Sequence, residues 1–138
     1  MKTLVDTCVI SEVQRRQGHP LVRQHFESLA AKDIYFSVLT FGELRKGIER
    51  LKANAKKKSL EIWFHQLILA AHDRILPVDQ ETALIWGEVA AQAERQGRSI
   101  PAIDGLLAAT ALRFGLRLMT RNEDDFEATG VLVFNPWK

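Results

Sequence analysis

The stretch LVDTCVI, residues 4–10, sets one carboxylate, Asp6, among six residues of moderate or strong apolarity. An apolar run of this length predicts a buried strand near the start of the chain. Burying the charge of Asp6 is costly there unless a partner or an ion compensates for it. Two explanations stay open. Asp6 caps a helical turn that follows the strand, as aspartate commonly does, or it belongs to a functional site.

Short apolar runs alternate with helical patterns along the rest of the chain. Strands are predicted at 34–38, 75–79, 117–120 and 131–134, and helices at 21–31, 40–51, 59–74, 80–96 and 101–114, with one helical turn at 122–126. Strands that are joined through helices are typical of crossover connections between parallel strands. The pattern therefore predicts an α/β fold with a mainly parallel sheet and helices on both of its faces.

The composition limits the class of protein. The chain has 138 residues, which suits one domain, and it is 46% hydrophobic and 26% charged, like ordinary soluble proteins. Its one cysteine, Cys8, cannot form an intrachain disulfide, which fits a reducing compartment. The sequence has no signal-peptide pattern and no apolar run of the ~18 residues that a membrane span needs. We therefore expect a cytoplasmic protein with no membrane partner.

Charge is unevenly distributed along the chain. The formal net charge is only +2, which does not require a nucleic-acid partner. Residues 45–58 (RKGIERLKANAKKK) nevertheless combine many basic side chains with one acid, Glu49. This segment is either a solvated helix face and loop or an electrostatic contact for phosphates, and the charge alone leaves both open.

Two further acids lie near predicted strand ends, where ligand sites form in α/β folds. Glu43 belongs to the helix after the second strand, although Thr40-x-x-Glu43 also matches a capping box, which needs no catalysis. Asp104 lies in the first turn of an apolar helix. It shares a face with Leu107 and Ala108, so we expect it to point into the protein.

The turn after the strand at 117–120 adds Asp125, its neighbour Asp124 and Asn122, although an acid-rich turn is usually a solvated loop. Gathered at one edge of the sheet, the acids would repel one another unless a cation neutralised them. Donors that are all oxygen select Mg²⁺ or Mn²⁺. Such an ion can hold a phosphodiester and lower the pKa of a water, which predicts hydrolysis of a phosphate ester.

Other kinds of site find less support. The four histidines have no H-x-x-x-H spacing and no cysteine pair occurs, so a zinc site is not expected. The glycine patterns of dinucleotide-binding and P-loop proteins are missing, as is the G-x-S-x-G nucleophile turn. A receiver or phosphatase domain remains a rival on a similar fold. Receivers need paired acids after the first strand and a lysine directly after the last, whereas this chain has D-T-C at the first position and N-P-W at the second.

Four sequence blocks stand in a specific order and spacing: LVDTCVISEV (4–13), TFGELRKGIERL (40–51), IPAIDGLLAATALRFGLRLMTRNEDDF (100–126) and VLVFNPW (131–137). As a set they resemble a PIN domain, and most closely the VapC and FitB-like toxins of bacterial type II toxin–antitoxin systems. The resemblance implies one PIN-like domain over residues 1–138. It also implies a three-layer α/β/α sandwich with a mainly parallel sheet of about five strands. The implied activity is that of a Mg²⁺- or Mn²⁺-dependent endoribonuclease.

By position, the resemblance also implies a set of site residues. The catalytic acids would be Asp6, Glu43, Asp104 and Asp125; the metal ligands would be Asp6, Asp104, Asp125 and Asn122; the supporting hydroxyls would be Thr7 and Thr120. Glu43 would orient or deprotonate the attacking water, or act as a ligand. The basic residues Arg45, Lys46 and Arg121 are candidate RNA contacts, with ordinary surface charge as the alternative.

The chain departs from the family pattern at one position. Where PIN domains usually have asparagine after Asp-Thr, this chain has Cys8, and a thiol is a weaker hydrogen-bonding group than an amide. The alternative function is therefore a non-catalytic or degenerate PIN-like module that binds RNA or protein.

The resemblance implies three partners: an RNA substrate, a cognate antitoxin that covers the acidic cleft, and a second copy of the chain. The homodimer would take part in a toxin–antitoxin complex, and the resemblance also allows a larger toxin–antitoxin assembly. The regions of Trp63, Phe64 and Trp86 are the predicted apolar surface for this pairing.

Overall fold

The structure is a computed structural model that describes residues 1–138. The strands are β1 (Thr3–Val5), β2 (Ile34–Ser37), β3 (Ile75–Leu76), β4 (Arg117–Met119) and β5 (Val133–Phe134). The helices are α1 (Thr7–Gln14), α2 (Pro20–Glu27), α3 (Val38–Glu49), α4 (Ala55–Ala71), α5 (Gln80–Arg95), α6 (Ala102–Phe114) and α7 (Glu123–Phe126). Short 3₁₀ turns span Ala31–Asp33, His72–Arg74 and Glu127–Thr129. None of the helices combines the length and the apolarity that crossing a membrane requires.

All five strands are parallel and lie in the order β3-β2-β1-β4-β5. The central strand β1 pairs with β2 on one side and with β4 on the other, so the direction of winding reverses between β1 and β4. Ligand sites of open α/β sheets form at such a switch point, outside the carboxyl ends of the strands. The predicted α/β/α fold with about five parallel strands is confirmed, and it brings Asp6 and Thr120 to the switch point.

The core lies on both faces of the sheet. Leu4 and Val5 point to opposite faces of β1, and both are 0% exposed. Val5 packs in a cluster with Phe36 and Phe64, whereas Leu4 packs in a second cluster with side chains of α6. A strand that is covered on both faces reads as a continuous apolar run, which explains the start of the stretch at 4–10.

The second half of that stretch is helical, which corrects the prediction of a strand. Strand β1 ends at Val5, and α1 begins at Thr7 with Asp6 as its N-cap. Val9 and Ile10 are buried because α1 turns them toward the same core as the strand. A short apolar run does not show where a strand gives way to a buried helix.

The capping box that was the alternative explanation of Thr40 and Glu43 does not form. Helix α3 begins at Val38, two residues before the predicted start at residue 40. The hydroxyl of its N-cap, Ser37, accepts a hydrogen bond of 3.1 Å from the backbone N–H of Leu39. Thr40 therefore lies inside the helix, where its buried hydroxyl has no hydrogen-bond partner. Glu43 is thus not held by capping.

The aromatic residues predicted as a pairing surface serve the packing of the chain itself. Phe64 is only 5% exposed, so the prediction is wrong for that residue. Trp63 is half-buried against the same cluster. The indole of Trp86 covers Gly105 of α6, where a Cβ would stand 2.8 Å from the ring atoms Cδ1 and Nε1.

This contact predicts opposite effects for two alanine substitutions. Gly105→Ala forces the indole of Trp86 to move, so we expect a loss of about 1–3 kcal/mol in the free energy of unfolding. Gly87→Ala, in the exposed part of α5, meets no atom within 4 Å and should stabilise the helix by about 0.5–1 kcal/mol. Urea denaturation measures both values, and equal shifts would contradict the contact.

Candidate active site

Asp6 is held at the switch point by hydrogen bonds from both sides. Its backbone N–H donates to the carbonyl of Met119 on β4 at 3.0 Å. Its Oδ1 accepts from the backbone N–H of Thr7 at 2.7 Å, and its Oδ2 accepts from the hydroxyl of Thr120 at 2.8 Å. The residue is 7% exposed. Asp6 therefore caps α1 and also lies at the candidate site, so the two explanations of this acid are compatible.

The pKa of the Asp6 carboxyl is raised above its ordinary value, chiefly because burial disfavours the charged form. The hydrogen bonds from Thr120 and Thr7 act in the opposite direction, and the charge of Glu43 adds to the rise. The free N–H groups at the start of α1 favour the carboxylate, as at any helix N-terminus.

Glu43 is connected to Asp6 through a single residue. The hydroxyl of Thr7 donates to Oε1 of Glu43 at 2.6 Å, while the backbone N–H of Thr7 bonds to Asp6. Thr7 opens α1 and Glu43 lies in the second turn of α3, so this contact joins two helices that begin at neighbouring strand ends.

Asp104 lies half-buried in the first turn of α6, the only acid in that turn. Its pKa is raised to about 6, first by burial and then by the negative charges of Asp6, Asp125 and Glu43. No hydrogen bond to its carboxylate offsets this rise. Four acids from separate parts of the chain therefore share one electrostatic environment at the carboxyl edge of the sheet.

The turn at 121–125 lines an open cavity of about 320 Å³. Asn122 and Asp125 are exposed there, and the backbone N–H of Asn122 donates to the Thr120 hydroxyl at 3.1 Å. Glu123 is taken up by an ion pair with Lys138 at 2.7 Å. The amide side chain of Asn122 makes no capping bond to α7, so its oxygen is free.

The donor atoms fit a hydrated divalent cation. No three histidine, cysteine, aspartate or glutamate side chains converge closely enough to coordinate one ion directly. Mg²⁺, however, usually keeps several of its waters and contacts only one or two carboxylates. The unpartnered carboxylate of Asp104 and its repulsion by three other acids match the charge that such a cation neutralises.

Cys8 approaches the same carboxylate as Thr120. Its Sγ lies 3.7 Å from Oδ2 of Asp6 and 3.8 Å from Oγ1 of Thr120. Burial and the charge of Asp6 raise the pKa of the thiol to about 11, so it stays protonated at neutral pH. A thiol is a weak donor, and the shorter bonds from Thr120 and Thr7 therefore hold Asp6 without an asparagine.

The three candidate RNA contacts have different environments. Arg45 forms an ion pair with Glu49 at 3.0 Å and lies over the Phe64 ring, 5.9 Å from its centroid. Arg121 lies over the ring of Trp137 at 5.1 Å and lines the cavity at 121–125.

Lys46 is the third candidate, and it lines a separate cavity together with Glu43. Arg50, which belongs to the basic segment 45–58 but was not among the three candidate RNA contacts, lines that cavity one helical turn further along α3. The signal that identifies it is the i, i+4 spacing from Lys46.

Comparisons with known proteins agree on one family. The sequence model of the PIN domain matches residues 3–132. The toxin FitB of Neisseria gonorrhoeae is 41% identical over 135 residues, which are 97% of this chain and 97% of that protein. The VapC ribonuclease Y4jK of Sinorhizobium fredii is 31% identical over 136 residues, which are 98% of this chain and 97% of that protein. The solved structure of FitAB bound to an IR36 DNA fragment matches with a TM-score of 0.94 at 39% identity, over 99% of this chain and 96% of that one.

The hydrogen bond from Thr120 to Asp6 predicts a large effect of Thr120→Val. The change keeps the shape of the side chain but leaves the buried carboxylate of Asp6 with one hydrogen-bond donor fewer. We therefore expect the free energy of unfolding to fall by about 1.5–3 kcal/mol. Thr110→Val is the matched control, because that buried hydroxyl donates only to the Leu106 carbonyl within its own helix. Urea denaturation at neutral pH compares them, and a similar loss in both would contradict the role of Thr120.

The raised pKa of Asp104 predicts a pH-dependent effect of Asp104→Asn. Folding raises this pKa from 3.8 to about 6, so the native protein binds more protons than the unfolded chain in that window. The contribution of Asp104 to stability therefore falls as the pH rises through the window. At about pH 7 and in chelator, the variant should be more stable by about 1 kcal/mol, a value reduced for solvent screening at this partly exposed group.

Urea denaturation across the pH range measures this difference between Asp104→Asn and the unsubstituted chain. The difference should shrink as the pH falls through the folded pKa of about 6, and it should be lost below 3.8, where Asp104 becomes neutral in both states. A difference that is the same at both ends of the range would contradict the raised pKa of Asp104.

Proposed function

The chain belongs to the PIN-domain family, and on that basis we propose that it is a metal-dependent endoribonuclease that acts as the toxin of a toxin–antitoxin pair. The observation that carries the proposal is the set of four acids whose charges act together at the carboxyl edge of the sheet. Similarity to a FitB toxin and to a VapC ribonuclease supports both parts of the proposal.

In this proposal, Asp6, Asp104 and Asp125 hold one or two Mg²⁺ or Mn²⁺ ions with the help of Asn122, in part through waters. When bound, such an ion neutralises the repelling acids, binds the scissile phosphodiester and lowers the pKa of a water. The hydrogen bonds from Thr120 and from the N–H of Thr7 fix both oxygens of Asp6 before an ion arrives. The ligand at the switch point is therefore preorganised.

Glu43 is the residue that orients or deprotonates the attacking water. The hydroxyl of Thr7 donates to one of its oxygens at 2.6 Å, which leaves the other oxygen for the water. General-base action of this kind requires hydrogen-bond contact with the proton that is removed. Attack of the water on phosphorus breaks the bond to the 3′ oxygen, which leaves a 3′-hydroxyl and a 5′-phosphate.

The partners that we propose are an antitoxin and a second copy of the chain. A structural relative that is 39% identical to this chain was solved as FitAB bound to a DNA fragment, which supports assembly with an antitoxin. The antitoxin would cover the acidic cleft. For the homodimer, exposed apolar side chains such as Leu69 of α4 and Leu84 of α5 offer surface in place of the buried Phe64.

Cys8 favours a second candidate, a PIN-like module that binds RNA without cutting it. The thiol stands where the family usually has asparagine, and its contacts with Asp6 and Thr120 are long, at 3.7 and 3.8 Å. The acids that the nuclease needs are nevertheless all present, so we favour the enzyme.

Cleavage of a short RNA with Mn²⁺, and its loss with chelator, tests the proposal. Asp6→Asn and Asp104→Asn should each lower the rate roughly 10²-fold or more, because each removes a charge from the site. Asp33→Asn is the matched control, since this acid precedes β2 at the opposite edge of the sheet. Full cleavage by both site variants would refute the site, and RNA binding without any cleavage would favour the binding module.

A further inference from the structure

We propose that a groove between α3 and α6 holds the RNA strand on one side of the scissile phosphate. This inference rests on the proposed nuclease function and names a part of its substrate site. The α3–α6 groove is a cavity of about 490 Å³, and its lining residues include Val38, Gly42, Glu43, Lys46, Arg50 and Ile103. It opens beside Glu43, so its occupant would continue directly into the acidic site.

Two cations on the wall of the groove have no partner within the protein. Lys46 and Arg50 follow Glu43 by three and seven residues, which puts all three on one side of α3. Both are exposed and neither forms an ion pair, whereas the adjacent Arg45 is paired with Glu49. Free cations one helical turn apart suit successive phosphates of a nucleic acid. They also offset the repulsion that an RNA strand meets near the four acids.

The glycines of α3 point to a ligand that approaches the helix closely. Gly42 and Gly47 both line the groove, and a Cβ added at either would meet no atom within 4 Å. Neither adopts a positive φ, so the backbone does not require glycine there. Glycine weakens a helix interior relative to alanine. Internal packing does not explain these residues, whereas a strand of RNA lying against the bare helix does.

The groove also offers apolar contacts, which do not distinguish one RNA base from another. Val38 and Ile103 line it from α3 and α6 and are 42% and 41% exposed, which is high for residues of this type. They suit contact with a ribose or with the face of a base. No aromatic side chain lines the groove, so the stacking that single-strand binders commonly use is missing. The RNA held here is therefore expected to be read with little preference for its bases.

RNA fits this groove better than a protein does, because Glu43, the residue that would activate the water, is one of its lining residues. A second copy of the chain would cover the same cations, and the experiment separates that occupant from RNA. The full-length protein is titrated, in chelator so that no cleavage occurs, into a short fluorescein-labelled single-stranded RNA at several salt concentrations.

The test variant is Lys46→Ala/Arg50→Ala. Each phosphate contact on a single strand contributes about 0.7 to the slope of log affinity against log salt, so the double variant should lose about 1.4. Lys2→Ala/Lys32→Ala removes the same charge at the opposite edge of the sheet, just before β1 and β2, and should leave the slope unchanged. Equal slopes in the two variants would overturn the inference. A change of molecular mass without a change of slope would also overturn it, in favour of a second copy.

A second variant, Gly42→Gln, fills the groove without removing charge. Because the new side chain meets open space, we expect a melting temperature no lower than that of the unsubstituted chain, together with weaker RNA binding. Unchanged affinity in the folded variant would contradict the groove. Cleavage by the unsubstituted chain in Mn²⁺ is measured in parallel. Its absence, with a slope that still depends on Lys46 and Arg50, would refute the nuclease and leave the groove supported.

Discussion

The hydrogen bond from Thr120 to Asp6 joins the ends of the two strands between which the sheet reverses its winding. Both residues are buried, and the bond of 2.8 Å satisfies a carboxylate that would otherwise lose its hydration without replacement. The backbone of Asp6 extends the pairing of β1 with β4 by one more bond, to Met119. The position of the acid is therefore set by the same ladder that builds the sheet.

The acids around this bond lower the free energy of unfolding of the protein. Burial and mutual repulsion raise the pKa values of Asp6 and Asp104. Folding brings these negative charges together and removes them from water, which opposes it. Such an arrangement is typical of functional sites, where a ligand of opposite charge neutralises the clustered acids. The cations and glycines of α3 belong to the same pattern, since they too lack a partner within the fold.

The sequence predicted the fold well because its signals are local. Apolar runs and helical periods identified every strand and most helices, whereas the order β3-β2-β1-β4-β5 was not predicted and comes from the structure. The errors lie where local signals compete. The run at 4–10 is apolar in both its strand and its helical part, so the periodicity of its apolar residues does not show the change from strand to helix after Val5. Likewise, Thr40 and Glu43 have the spacing of a capping box, but Ser37 caps the helix instead. The contact between Thr7 and Glu43 spans 36 positions and depends on how α1 packs beside α3, which no local pattern encodes.

Thr7 has a consequence for how the site can deform. Its backbone N–H holds Asp6 and its hydroxyl holds Glu43, so the first turn of α1 fixes two acids at once. The two carboxylates therefore do not have independent degrees of freedom. A displacement of this one turn shifts both carboxylates together. A partner that binds α1 would therefore misalign the two acids without contacting either of them.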